Sequence, residues 1–314
     1  MKYFEAEFVI SPLSSDATDL LAAVAGEAGF ESFEETPTGL KGYVQQQLFD
    51  QLTLQTALAD FPFDNVDITY TIREAEDRDW NEQWEQEGFE PIVVSRSEEC
   101  GMRSENTFEG IIIHDGRHLP TNEISFHFPL SSFLEIEIDA RQAFGTGTHE
   151  TTRMICTTLL DLFSNLSPLT SHLSPLRVLD CGTGTGILSI CALKLGAKEA
   201  VGYDIDEWSV DNARHNAVIN RVDDRFTSLL GDASILNKVE GTFDLVLANI
   251  NRNILLADMP AFKQKMAPDA TLILSGFYTA DCPMLIDKAA SLGLTLQQQK
   301  EYHDWACLVF LFPS

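Results

Sequence analysis

From Leu176 onward the sequence alternates between short apolar runs and segments of helical length. The apolar runs stand at 176–181, 199–204, 243–248 and 270–275. Helices are expected after them at 185–195, 207–220, 251–266 and 280–292. A strand followed by a helix, repeated, builds a parallel sheet covered on both faces. A further strand is expected at 226–230, and 294–300 with 305–312 should form an antiparallel pair at the sheet edge. Ligands of such sheets sit beyond the carboxyl ends of the strands, near the point where the strand order reverses.

The first part of the chain has a different rhythm. Residues 2–10 alternate and are rich in aromatic and β-branched side chains, which predicts a strand. Ser14, Ser15 and Asp16 can cap a helix reaching about Ala28, which Gly29 stops. Extended stretches at 30–35 and 39–46, an amphipathic segment at 48–60 and a clean alternation at 66–72 complete the order β-α-β-β-α-β of a small ferredoxin-like α+β domain. The expected division is therefore 1–72 for this domain, 73–88 for a connector helix and 89–314 for the larger α/β domain. In the connector, Trp80 and Trp84 share one helical side, as an i, i+4 pair does. Strands are expected at 91–95, 108–113 and 133–138, a helix at 150–163 and a surface loop at 164–175.

Composition narrows the partners. With 21 basic against 48 acidic side chains the net charge is −27, which argues against direct nucleic-acid binding by phosphate neutralisation. The same acidity suits a basic protein partner as well as a merely solubilising surface. The acids near the start do not suit a signal peptide, and no segment approaches the ~20 apolar residues of a membrane span. The six cysteines form no CxxC pair, so a reduced, cytoplasmic compartment is expected. No His or Cys spacing suits a metal, and none is expected.

The chemistry concentrates in VLDCGTGTGI at 178–187: an apolar strand, then Asp180, then Gly182, Gly184 and Gly186, then a helix. Alternate glycines let a backbone turn tightly and approach a ligand where a Cβ would collide. Ile187 stands where the dinucleotide fingerprint needs its third glycine, and the Gly-Lys-Ser/Thr of a phosphate loop is missing. The next strand ends in Asp204, and an acid at that tip can accept both hydroxyls of a ribose. Asp204 alone would better suit a helix cap, but its pairing with the glycine turn reverses that preference, and Asp206 is the better candidate for the cap. Asp232, after Gly231, is placed either against an adenine amino group or in a turn.

D-x-G-x-G-x-G, then Asp204, then Gly231-Asp232, resembles the class I S-adenosylmethionine-dependent methyltransferases. AFGTGTHETT at 143–152 is similar to the hallmark segment of the bacterial family that methylates ribosomal protein eleven of the large subunit. Asp79, Trp80, Trp84, Phe89 and Pro91 resemble that family's connector. The resemblance covers nearly the whole chain. It implies a Rossmann-like seven-stranded methyltransferase domain, with a small N-terminal domain that grips the ribosomal protein.

By position, the resemblance carries cofactor contacts onto Thr152, Gly182, Asp204 and Asn249, with S-adenosyl-L-methionine as the cofactor; Gly184 of the glycine turn and Asp232 are further candidate contacts. Thr152 and the adjoining Gly-Thr-Gly amides suit its carboxylate. Asn249, at the end of the 243–248 strand, is the expected catalytic residue. Its carboxamide can accept from an amine and aim the nitrogen lone pair at the methyl carbon. Related enzymes carry Asn-Pro-Pro-aromatic there. Asn249-Ile-Asn-Arg252 lacks the aromatic platform, which suits an aliphatic amine better than a flat base or amide. Asn251 and Arg252 depart from the small or apolar residues expected of the family.

The expected reaction is in-line methyl transfer to lysine ε-amines and the N-terminal α-amine of the ribosomal protein, by a monomer. Lysine's reference pKa of about 10.4 means the site must favour the neutral amine. Two alternatives stand beside it. One is a methyltransferase of the same fold acting on another protein or a small-molecule amine. The other is a cofactor-binding protein without catalysis, which Asn251 and Arg252 filling the acceptor pocket would favour.

Overall fold

The computed structural model describes the chain except for residues 1–2, 31, 47, 60, 64–65, 75–87, 96–107, 120–129, 141–144, 166–175 and 314. The connector with Trp80 and Trp84, most of the 97–130 and 164–175 stretches, and Ala143 and Phe144 lie outside the described residues. By its internal contacts the chain divides into two units, Met1–Glu82 and Gln83–Ser314.

The first unit runs β1 (Tyr3–Ser11), α1 (Ser15–Glu27), β2 (Ser32–Thr36), β3 (Gly39–Gln45), α2 (Gln51–Ala59) and β4 (Asp67–Glu74). Its sheet has the order β2-β3-β1-β4, antiparallel throughout. Ser14 stays extended and its hydroxyl accepts from the Ala17 amide, which starts α1 where the Ser-Ser-Asp run places it. Along β1, Ala6, Phe8 and Ile10 turn inward and meet Ala17, Leu21 and Ala25 of α1. On the other face Glu5 is buried between Arg73, at 2.6 Å, and Lys41, at 3.6 Å. A buried carboxylate needs such partners.

The second unit begins with a three-stranded sheet, β5 (Ile92–Ser95), β6 (Gly110–His114) and β7 (Phe133–Glu137). After α3 (Glu150–Asn165) come β8 (Arg177–Cys181), α4 (Ile187–Leu195), β9 (Glu199–Asp204), α5 (Glu207–Ile219), β10 (Phe226–Leu230), β11 (Phe243–Asn249), α6 (Arg252–Lys265), β12 (Met266–Tyr278), α7 (Cys282–Ser291), β13 (Thr295–Tyr302) and β14 (Trp305–Leu311). The seven strands β8–β14 form one sheet in the order β10-β9-β8-β11-β12-β14-β13. β14 runs antiparallel to both of its neighbours, and the other pairs from β10 to β12 are parallel.

Successive residues of a strand face opposite ways, and both faces of this sheet are covered. Val178, Leu245, Leu247 and Ile273 therefore belong to the core shared with α3, α4 and α5. Leu179, Val246, Ala248, Leu272 and Leu274 belong to the core shared with α6 and α7.

The final two strands form an antiparallel pair at one sheet edge, as expected, with β13 outermost and β14 inside it. Burial explains the choice: Ala306, Cys307, Leu308 and Phe310 are buried, whereas the glutamines of β13 can face water. β12 extends past the expected 270–275, because Trp305 of β14 pairs with Tyr278 and gives its backbone a partner beyond the apolar run.

Candidate active site

The strand order reverses between β8 and β11, whose neighbours lead away in opposite directions. Their register sets Ala248 opposite Cys181, which brings Asn249 level with the first glycine of the 182–186 turn. Gly182 has φ 74°, and a Cβ there would come 2.4 Å from the Ile250 side chain. Gly184, at φ 53°, directs its amide at Asp204 Oδ2, 2.9 Å away. L side chains rarely adopt this backbone conformation, so the turn needs its glycines.

Asp204 ends β9, and its Oδ1 accepts from the Asp206 amide at 3.1 Å. One half-buried carboxylate is thus fixed between the glycine turn and the start of α5. Asp206 is the helix cap, accepting from the Ser209 amide at 3.0 Å. Between the two acids, Ile205 is 72% exposed. Sequence reasoning passed over it; an apolar residue flanked by carboxylates at a strand tip was the available signal. Asp232 caps the short 3-10 turn Ala233–Lys238 through a 2.9 Å bond from the Ser234 amide, and is exposed.

Below the turn, Asp180 is fully buried. Its Oδ2 accepts from the hydroxyls of Thr183 and Ser189, both at 2.8 Å, and from the Ser189 amide, while Oδ1 has no partner among the described residues. Burial pushes this carboxyl up to about 6, and Asp204 adds to the rise. The folded protein therefore holds the proton to a higher pH than the unfolded chain, whose reference value is 3.8. The group's contribution to stability is complete below about pH 4 and is lost as pH climbs through about 6. Asp180→Asn keeps an acceptor without the charge. Relative to wild type it should gain roughly 1–3 kcal/mol between pH 4.5 and pH 8. Calorimetric unfolding at the two pH values checks this; a pH-independent difference contradicts it.

The 145–152 segment closes the other side. Thr185 Oγ1 donates to the Gly145 carbonyl at 2.6 Å, tying this segment to the glycine turn. His149 Nδ1 accepts from the Thr151 amide, 3.3 Å away, and lies 2.8 Å from the Thr151 hydroxyl. Thr152, buried in the first turn of α3, accepts from Asn249 Nδ2 at 3.3 Å. That bond aims the Asn249 carboxamide, whose buried Oδ1 has no partner among the described residues. A buried polar atom without a partner is costly unless something else binds it.

Asn251 and Arg252 have local roles. Asn251 Oδ1 caps α6 through the Ile254 amide at 3.1 Å, and Arg252 Nη1 donates to Asp281 at 2.8 Å. These bonds give both departures from the family's pattern a local structural role.

An aromatic group that sequence reasoning missed stands at the same end of the sheet. Trp305 stacks on the half-exposed Tyr278, with centroids 4.4 Å apart, and meets the edge of His149 at 4.7 Å. Tyr278 lies three positions beyond Ser275, the β12 residue paired with Asn249. Nothing in the local pattern connects three aromatic rings so distant in sequence.

Among the described residues no helix is long and apolar enough to cross a membrane. The sheet order, with a glycine turn after its first strand and an acid ending the second, defines a class I methyltransferase. The sequence model of the family described as Ribosomal protein L11 methyltransferase (PrmA) matches residues 121–312. The ribosomal protein L11 methyltransferase of Bacteroides thetaiotaomicron is 42% identical over 99% of this chain and 100% of its own length. That of Porphyromonas gingivalis is 38% identical over 99% and 98%. A crystal structure of ribosomal protein L11 methylase from Lactobacillus delbrueckii subsp. bulgaricus aligns with a TM-score of 0.54 at 26% identity, covering 71% of this chain and 98% of that one. The chain belongs to the ribosomal protein L11 methyltransferase family.

Proposed function

We propose that this protein transfers methyl groups from S-adenosyl-L-methionine to lysine ε-amines and the N-terminal α-amine of ribosomal protein L11. The observation that carries this reading is Asn249: a carboxamide fixed by Thr152 at the strand-order reversal, with a buried oxygen left for a ligand. The residues present fit the donor. Asp204 offers a carboxylate for the ribose hydroxyls, Ile205 an apolar surface for adenine, and the 182–186 turn a backbone without side chains in the way. Asp232 serves the adenine amino group in addition to its cap. Thr152 and the amides of 145–147 receive the carboxylate end.

When bound, the donor supplies a methyl group made electrophilic by its sulfonium sulfur. Asn249 Oδ1 accepts an N–H of the incoming amine, which turns the nitrogen lone pair towards that carbon. Trp305, Tyr278 and His149 offer a wall for the aliphatic stem of a lysine and exclude water around it. Residues 1–72 grip the ribosomal protein, 73–88 connect, and 89–314 catalyse. The excess of acids favours a lysine-bearing protein over nucleic acid. The protein acts as a cytoplasmic monomer.

The test mixes the purified protein with radiolabelled donor and undermethylated ribosomal proteins, then locates the label by mass spectrometry. Label on amines of L11 is expected. Label on another acceptor, or on none, overturns the assignment.

A further inference from the structure

Asn212, Asn216 and Asn220 recur at every fourth position along α5 and its carboxyl cap, and all three are buried. Side chains so spaced share one helix face. A polar stripe inside a core is costly unless every group is paired. Here the partners are main-chain groups of the segment that leaves β7. Asn220 accepts from the Glu137 amide at 3.1 Å and donates to the Glu137 carbonyl at 2.6 Å, as a neighbouring strand would. Asn216 accepts from the Asp139 amide at 3.0 Å, and Asn212 donates to the Asp139 carbonyl at 2.8 Å.

Asn216 alone of the three also reaches the glycine turn. Its Nδ2 donates to the Thr185 carbonyl at 2.9 Å, and the Thr185 hydroxyl in turn donates to Gly145. One carboxamide therefore holds both the chain that leads towards 145–152 and the turn that follows β8. We propose that Asn216 is a positioning residue of the donor pocket: it sets the glycine turn against the 145–152 segment from behind, without touching the donor. The inference rests on the donor pocket assigned under Proposed function. Asn220 is its internal control, being on the same face, also buried and bonded to the same segment, but without a bond to the turn.

Two substitutions separate the coupling role from mere support of the fold. Asn216→Asp keeps the acceptor for Asp139 and removes the donor to Thr185. Asn220→Asp keeps the acceptor for Glu137 and removes the donor to its carbonyl. Asn216→Asp should lower Tm, as loss of a buried donor does, whereas at 220 the Lys194 ammonium, 3.2 Å from Asn220 Oδ1, offsets part of that loss. Donor affinity, measured by calorimetry, should fall about tenfold in Asn216→Asp and stay within about twofold of wild type in Asn220→Asp. Thr185→Val, which cuts the next link in the same chain, should reproduce the loss, and Thr185→Ser should restore affinity. This pair decides the matter if Asn216→Asp does not fold. Equal affinity changes in the two asparagine variants, or unchanged affinity in Thr185→Val, overturn the proposal. Failure of the wild-type protein to bind the donor overturns the pocket itself, a separate outcome.

Discussion

Asp204→Ala is expected to weaken binding of S-adenosyl-L-methionine by about 10²–10⁴-fold while the protein remains folded. Two hydrogen bonds from ribose hydroxyls to a carboxylate are each worth roughly 1.5–3 kcal/mol, because the acceptor is charged. The carboxylate also anchors the Gly184 amide and the Asp206 amide, so its removal loosens the turn that the donor's backbone contacts depend on. Asp204→Asn, which retains an acceptor, should lose less. Isothermal calorimetry reads both variants directly, and equal affinity in wild type and Asp204→Ala contradicts the assignment of the acid.

Asn249→Ala should act on a different quantity. Loss of the carboxamide removes the group that orients the amine, and kcat should fall about 10²–10³-fold, the usual scale for one well-aimed polar group at the reacting atoms. Donor affinity should fall by a much smaller factor, because the ribose contact lies on Asp204 and only the Thr152 hydroxyl is bonded to the carboxamide. Single-turnover transfer with donor in excess measures the chemical step. A variant with normal kcat and weakened donor binding would reassign Asn249 to the donor alone.

On the proposed reading the two substitutions separate a holding half of the site from an aiming half. The division follows from topology: Asp204 ends β9 on one side of the strand-order reversal, and Asn249 ends β11 on the other. The fold brings them to the same end of the sheet because both strands are parallel and their register is set by buried alternation.

Much of this architecture is legible in the sequence. The strand-helix rhythm after Leu176, the glycine turn and the caps at Ser14 and Asp206 depend on local pattern and local chemistry, which a sequence records. Other features depend on partners far away in the chain. The three asparagines of α5 look like an ordinary polar face until 137–139 lies against them. The meeting of Thr152 with Asn249 spans 97 positions, and the ring contacts of Trp305 with His149 and Tyr278 are just as non-local. Arg252 finds its partner, Asp281, 29 positions away, whereas Asn251 is a local helix cap three residues before Ile254, of the same kind as Ser14 and Asp206. The place of β14 inside the sheet could have been read from composition, since a run of apolar residues competes better for a covered position than a run of glutamines.

The central claim is spatial: the donor lies along the 182–186 turn, with its ribose on Asp204 and its methyl facing the Asn249 carboxamide. A crystal structure of the protein soaked with S-adenosyl-L-methionine measures this directly. The account predicts both ribose hydroxyls within hydrogen-bonding distance of Asp204 and the methyl directed at the space beside Asn249 Oδ1. A donor bound elsewhere, or an Asp204 carboxylate turned away from the ribose, contradicts it.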